Sequence, residues 1–253
     1  MKLDFETIAT EDETETRSGS VARRTFVMGL GAMAMSGCVA TPRQAAIVPV
    51  AKVAPAPAPR PAVPSMYYAM PNERFPIPEV DIAKLDRRFW RTEVDYPTDE
   101  KPGTLIVDTP AKYLFHVKRN GRAVRYGIGV GREGFAWAGR AIVAYKREWP
   151  RWTPPDSMVA RQPKLEPYSI ANGGMAPAIS NPLGARSLYI HKDGKDTLYR
   201  IHGSPEARSI GKAVSSGCIR LINQDVIHLH GEVRDGSPIV VIPDPTMKNL
   251  LVG

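Results

Sequence analysis

Two short stretches hold the residue types that could do chemistry together: Tyr199-Arg200-Ile201-His202-Gly203 and Ser215-Ser216-Gly217-Cys218-Ile219-Arg220. A cysteine attacks carbon only as thiolate, and with an ordinary pKa of about 8.5 only a few per cent is ionised near neutral pH. A histidine within hydrogen-bond reach takes that proton and leaves an ion pair. His202 and Cys218 are sixteen positions apart, too far to meet on one helix or strand; a strand, a loop and a return can bring them together. Gly217 allows a sharp turn that points consecutive N–H groups at one spot, which is how an oxyanion hole is built. In an extended segment Arg220 shares a face with Cys218 and could hold a carboxylate through two parallel hydrogen bonds. Taken singly, each residue has a plainer reading: a lone cysteine is a small buried hydrophobe, a lone histidine is structural, and Arg220 is one half of an ion pair.

The pattern as a whole weighs against those separate readings. His-Gly, a loop, then Ser-Ser-Gly-Cys-Ile-Arg resembles the signature of the L,D-transpeptidase (YkuD-like) family of cell-wall enzymes, over roughly Pro102 to Ile242. Asn181-Pro182-Leu183-Gly184-Ala185-Arg186 resembles the turn that precedes a central strand in that family. The resemblance implies a mainly β, sandwich-like catalytic domain with few short helices. It implies Cys218 as nucleophile, His202 as base and then acid, and the Gly203 backbone carbonyl orienting the imidazole. Gly217 and Cys218 N–H groups would stabilise the oxyanion. Arg220, Ser215 and Ser216 would bind substrate or shape its loop. The substrate would be a peptidoglycan tetrapeptide stem that loses its terminal D-alanine. Many relatives carry His where this chain has Ser216, so the proton path rests on His202. The acceptor stays open: a second stem, a protein lysine, a free D-amino acid, or water in a stem-trimming hydrolase. A non-catalytic wall-binding lipoprotein is the remaining alternative.

Composition sets the surroundings. The 253 residues are 43% hydrophobic, enough for a core, with a net charge of +8. Asp4, Glu6, Glu11, Asp12, Glu13 and Glu15 crowd the start, so the remainder is more basic still and suits anionic polymers or lipid headgroups. No basic-aromatic array points to nucleic acid. Residues 1–37 read as an export signal: Arg23-Arg24-Thr25-Phe26-Val27 matches a twin-arginine pattern, and the apolar run to Gly37 is too short to span a bilayer. Met35-Ser36-Gly37-Cys38 resembles a lipoprotein box, which makes Cys38 a lipidation site and the membrane a partner through that anchor; cleavage after Ala40 is the alternative. An exported, periplasmic or cell-envelope location follows. With Cys38 acylated or removed, Cys218, the second of two cysteines, has no partner for a disulfide.

Of the 24 prolines, seven fall in 38–65, where Ala54-Pro55-Ala56-Pro57-Ala58-Pro59 typifies an extended linker. Residues 66–101 read as an extension wrapped on the domain, 102–243 as the catalytic domain and 244–253 as a tail. Strands are expected at Thr104–Val107, at Tyr113–Val117 and Ala123–Ile128 around Asn120-Gly121, at Ala141–Ala144, at Leu188–Ile190 and Leu198–His202, and at Pro238–Ile242. Gly127, Gly129 and Gly131 suggest bulges or close backbone approach. Residues 132–180, with Trp137, Trp149 and Trp152, read as a long loop walling the site, or as tryptophans capping the core. Asn223 is expected to cap a helix over about Gln224–His230. His228 and His230 are spaced i, i+2, wrong for a metal pair, so no metal and no cofactor are expected. His116 is expected to pack inside a strand and His191 to be solvated beside a turn.

Overall fold

The computed structural model describes residues 62–131, 138–215 and 218–242. The export segment, Cys38, nearly all of the linker, Trp137, Ser216, Gly217 and the tail lie outside the described residues. The strands are β1 (Thr92–Asp95), β2 (Leu105–Asp108), β3 (Tyr113–Val117), β4 (Arg122–Gly127), β5 (Val130–Gly131), β6 (Gly139–Glu148), β7 (Arg186–Lys192), β8 (Lys195–Ser204), β9 (Ala213–Ser215), β10 (Ile219–Ile222) and β11 (Pro238–Ile242). Two α-helices accompany them, α1 (Asp156–Arg161) and α2 (Asn223–Glu232).

The architecture is mainly β, as the motifs implied. Nine strands form one sheet in the order β1-β4-β3-β2-β11-β6-β7-β8-β10, and β5 pairs with β9. Alternate residues point to opposite faces of a strand, and the sequence uses this throughout. Leu105 and Val107, Leu114, Tyr126, Val143, Leu188 and Ile190, Ile201, Ile219 and Leu221, and Ile239 and Val241 all turn to one core, which Val226 and Leu229 of α2 complete. Just after β4 the chain returns to the far edge of the sheet. There the Gly129 N–H donates to the Arg220 carbonyl at 2.9 Å, and the Arg220 N–H to the Gly129 carbonyl at 2.8 Å. The second strand of the sheet is thus tied to the last, and the sheet closes around its own core. Gly129 makes this approach possible: a Cβ there would stand 2.6 Å from the Ser209 carbonyl oxygen.

Several expectations need correction. The expected strand Ala141–Ala144 runs over ten residues as β6. Asn223 does not cap α2. The helix begins at Asn223 with no side-chain cap, because its Oδ1 accepts the Ala185 N–H at 3.0 Å, so a tertiary contact claims the side chain. His191 is not freely solvated: its ring stands edge-on to Tyr145 at 5.8 Å and its Nε2 is buried. Residues 138–180 are not all loop, since β6, α1 and a 3-10 turn at Pro163–Tyr168 lie there. Trp149 is 3% exposed and packs against Phe75 at 4.9 Å, so it is a core residue and walls no site.

Residues before β1 pack on the sheet domain through two polar clamps. Glu73 accepts from Arg186 Nη1 (3.0 Å) and Nη2 (2.8 Å) and from Trp149 Nε1 (2.9 Å). Burial would push the Glu73 carboxyl up, but these donors hold it below its ordinary value. In the second clamp, Tyr67 Oη accepts the Arg91 N–H at 2.7 Å and donates to Asp225 Oδ2 at 3.4 Å, and Arg91 Nη1 lies 3.4 Å from Asp225 Oδ1. Burial outweighs the pull of Arg91 and Tyr67 and raises the Asp225 carboxyl to about 7.

A folded carboxyl raised in this way holds a proton that the unfolded chain releases between about pH 4 and 7, so stability falls as pH rises through that window. Asp225→Asn removes the dependence. Urea unfolding of the parent should lose up to about 1.4 kcal/mol per pH unit more than the variant across that window; parallel pH curves would contradict it.

Candidate active site

The parallel pairing of β8 with β10 builds the site. Its register sets Ile219 against Ile201 and Arg220 against His202. One step earlier, Cys218 falls beside Arg200. Ile201 and Ile219 face the core, so alternation puts Arg200, His202, Cys218 and Arg220 together on the outer face. His202 and Cys218 then stand diagonally across adjacent strands, a relation that brings Cα atoms to about 7–8 Å, within reach of an imidazole and a thiol. The structure thus brings together Cys218, His202 and Arg220, three residues that the sequence separated. Of Ser215 the backbone is described, in β9 opposite Gly131.

His202 is 4% exposed. Its Nδ1 lies 2.8 Å from the Gly203 carbonyl oxygen. A carbonyl only accepts, so Nδ1 carries the proton in the neutral ring and Nε2 keeps the lone pair. A cradle of backbone fixes this arrangement. The Gly203 N–H donates to Leu183 at 3.1 Å. A Cβ at Gly203 would run into Asn223 Oδ1, and one at Gly184 (φ +60°) into the same oxygen and the Gly203 backbone. Glycine at both positions is what lets the Asn181–Ala185 turn lie this close. Asn181 anchors the turn: its Nδ2 donates to Ala176 at 3.0 Å and to Pro150 at 3.2 Å, and its Oδ1 accepts the Leu183 N–H at 2.9 Å. Asn181 and Asn223 were legible only as a turn residue and a helix cap.

Burial works against the expected ion pair. Burial drives His202 down to about 4, helped by the Arg220 and Arg200 charges and opposed by the Gly203 and Pro182 carbonyls. Burial also pushes the Cys218 thiol above its ordinary value, against the Arg200 backbone amide and the Arg200 and Arg220 guanidinium groups. Both shifts favour thiol and neutral imidazole over the ion pair in the resting site. Arg220 Nε is buried with no hydrogen-bond partner among the described residues. No three His, Cys, Asp or Glu among those residues are placed to hold a metal ion. A cavity of about 510 Å³, lined by Val80, Asp81, Lys84, Ser204, Glu206 and Arg208 among others, lies beyond the C-terminal ends of β8 and β10. Neither Cys218 nor His202 lines it.

The model of the YkuD L,D-transpeptidase catalytic domain matches residues 102–241, more than half of the chain. The chain belongs to the L,D-transpeptidase (YkuD) family. It is similar to Escherichia coli K12 proteins described as probable L,D-transpeptidases: YbiS, 30% identical over 158 residues, 59% of this chain and 47% of that protein, and ErfK/SrfK, 30% identical over 151 residues, 56% and 44%. The chain spans about half the length of the curated relatives it matches. A solved Brucella melitensis structure, described as a probable carnitine operon oxidoreductase, is 38% identical and covers 64% of this chain and 99% of its own, with a TM-score of 0.44.

For this L,D-transpeptidase-family chain the neutral pair has a measurable consequence. Iodoacetamide alkylation of Cys218, followed by peptide mass spectrometry, should rise through the ordinary thiol range near pH 8.5 and beyond. A rate already level between about pH 5 and 7 would reveal a preformed ion pair and contradict the neutral resting state.

Proposed function

We propose that the chain is a peptidoglycan L,D-transpeptidase with Cys218 as nucleophile. The observation that carries this reading is the β8–β10 register, which puts Cys218, His202 and Arg220 on one face, with His202 holding its lone pair on Nε2. As a tetrapeptide stem arrives, His202 Nε2 takes the thiol proton while Sγ attacks the carbonyl of the diamino-acid residue. Starting from neutral groups, proton transfer accompanies attack and needs no preformed thiolate. The Gly203 and Pro182 carbonyls, which favour the charged ring, stabilise the imidazolium, a role a carboxylate plays in other triads. The backbone N–H groups of Gly217 and Cys218 would hold the oxyanion, with Ser215 and Ser216 shaping their loop. The imidazolium then gives its proton to the departing amine, D-alanine leaves, and a thioester remains. An acceptor amine attacks the thioester, His202 takes a proton from that amine and returns it to sulfur, and the product is a new amide.

Arg220 is the group that would hold a stem carboxylate, because its guanidinium lies on the reacting face with Nε unpartnered among the described residues. The acceptor is an amine of a second stem, of a protein or of a free D-amino acid. The enzyme works at the cell envelope, exported through its twin-arginine segment and tethered through Cys38 and the proline-rich linker. Among the described residues no helix is long and apolar enough to cross a membrane.

The test is incubation of the purified chain with disaccharide-tetrapeptide, read by mass spectrometry, with Cys218→Ala as control. The expected product is a cross-linked dimer that has lost one D-alanine, absent with the variant. Loss of D-alanine without dimer would favour the hydrolase, and no change with the parent would favour the wall-binding module.

A further inference from the structure

The cavity of about 510 Å³ lies on the same face as the reacting residues, further along the same two strands. Ser204 follows His202 by two positions on β8, and Ile222 follows Arg220 by two on β10, so alternation puts both on the outer face. Both line the cavity. Two strand positions cover about 7 Å, so the cavity begins about 7 Å past His202, on the side away from Cys218. Its floor is apolar, with Ile222, Val80 and Ala207 buried in one cluster. One wall is the Ser204–Arg208 segment, where Ser204 Oγ accepts the Glu206 N–H at 3.1 Å and the Glu206 carbonyl accepts from Ser209 Oγ at 2.7 Å. The other wall is Ile77–Lys84 of the extension. Gln224 Nε2 fastens it by donating to the Pro78 carbonyl at 2.9 Å, and the Val80 N–H donates to the Tyr67 carbonyl at 3.0 Å. Both walls are therefore set by the protein's own hydrogen bonds. The extension precedes residues 102–241, the part matched by the family model, so its wall is an addition to the catalytic domain.

We propose that this cavity is the acyl-acceptor subsite, and that it takes a peptide carrying a primary amine on a side-chain arm in preference to a free amino acid or water. The proposal rests on the transpeptidase reading above. In that reading the leaving group and the attacking group are both amines, and both exchange a proton with His202 Nε2. The amine side of the reacting carbonyl therefore faces His202, and whatever that amine carries continues past His202 toward Ser204. A departing D-alanine is one residue, about 3.5 Å long, and ends short of the cavity. A free D-amino acid ends there too. An amine at the end of a multi-carbon arm spans the gap and delivers its peptide backbone to the cavity, whose volume suits a ligand of that size. The rim carries both signs, with Lys84 Nζ paired to Asp81 Oδ2 at 2.5 Å and Glu79, Glu206 and Arg208 beside that pair. Such a rim suits a peptide that bears carboxylates as well as an amine. With the peptide seated, the amine nitrogen attacks the thioester carbonyl, the C–N bond forms and the C–S bond breaks. His202 Nε2 takes one amine proton and passes it to sulfur. The diamino-acid residue of a second stem and the lysine of a protein segment share this chemistry.

The experiment gives the full chain disaccharide-tetrapeptide, which serves as donor and as peptide acceptor, together with free D-methionine as a small competing acceptor. Mass spectrometry reads the ratio of cross-linked dimer to D-methionine product. Both products come from the same acyl-enzyme, so a change in the first step cancels from the ratio. Glu79 is exposed, and Glu79→Trp fills the cavity from the extension side; the ratio should fall about tenfold. Arg208→Glu, on the facing wall, should lower it in the same direction, and carries the test if Glu79→Trp does not fold. A parallel series with a lysine-containing tripeptide added identifies the source, through which peptide product dominates and responds to the substitutions. An unchanged ratio in the folded variants overturns the proposal. So does a parent chain that transfers to D-methionine or to water and forms neither peptide product. Failure of the transpeptidase reading looks different: Cys218 of the parent chain would then carry no acyl group from the tetrapeptide at all.

Discussion

Everything at the reacting face depends on the hydrogen bond from His202 Nδ1 to the carbonyl of the next residue, Gly203. It fixes the tautomer, leaves the lone pair on Nε2, and does so with a group that carries no formal charge. A carboxylate in that place would raise the imidazole and favour an ion pair. A carbonyl orients the ring while contributing less to its basicity, so burial wins and the ring rests neutral. The same constraint explains the glycines. The Gly203 carbonyl can reach His202 only if the chain lies flat against Asn223 and the Asn181–Ala185 turn, where a Cβ at 203 or 184 would collide.

A neutral resting pair changes what the neighbouring cations are for. In a preformed ion pair, the imidazolium itself would stabilise the thiolate. Arg200 and Arg220, one from each of two parallel strands, pull the thiol down against the larger effect of burial. Both cations depress the histidine as well as the thiol. Both therefore oppose the charged imidazole, and the thiolate forms as the proton moves. The extension before β1 contributes from a distance. Glu73 closes on Arg186 and Trp149, and Arg186 immediately follows the turn that cradles His202.

The sequence was legible where the signal was local. Alternation in Leu188–Ile190 and Pro238–Ile242 announced strands, Asn120-Gly121 announced a hairpin, and Leu198–His202 was expected as a strand, while β10, which pairs with it, was not. What stayed hidden depended on register or on distant partners. Asn223 looked like a helix cap because its service to Ala185, far away in the chain, cannot be seen locally. Arg200 looked like any strand arginine until pairing set it against Cys218. Glu73–Arg186 and Tyr67–Asp225 join residues more than a hundred positions apart, and no spacing rule connects them. The push on His202 was hidden for a related reason: burial is its largest cause, and burial belongs to the whole fold.

The most direct measurement is the nitrogen NMR spectrum of the His202 imidazole in the folded chain at pH 7, assigned against His202→Gln. The account predicts a neutral ring with its proton on Nδ1 and an unprotonated Nε2. A ring protonated on both nitrogens, or a neutral ring protonated on Nε2, would contradict it.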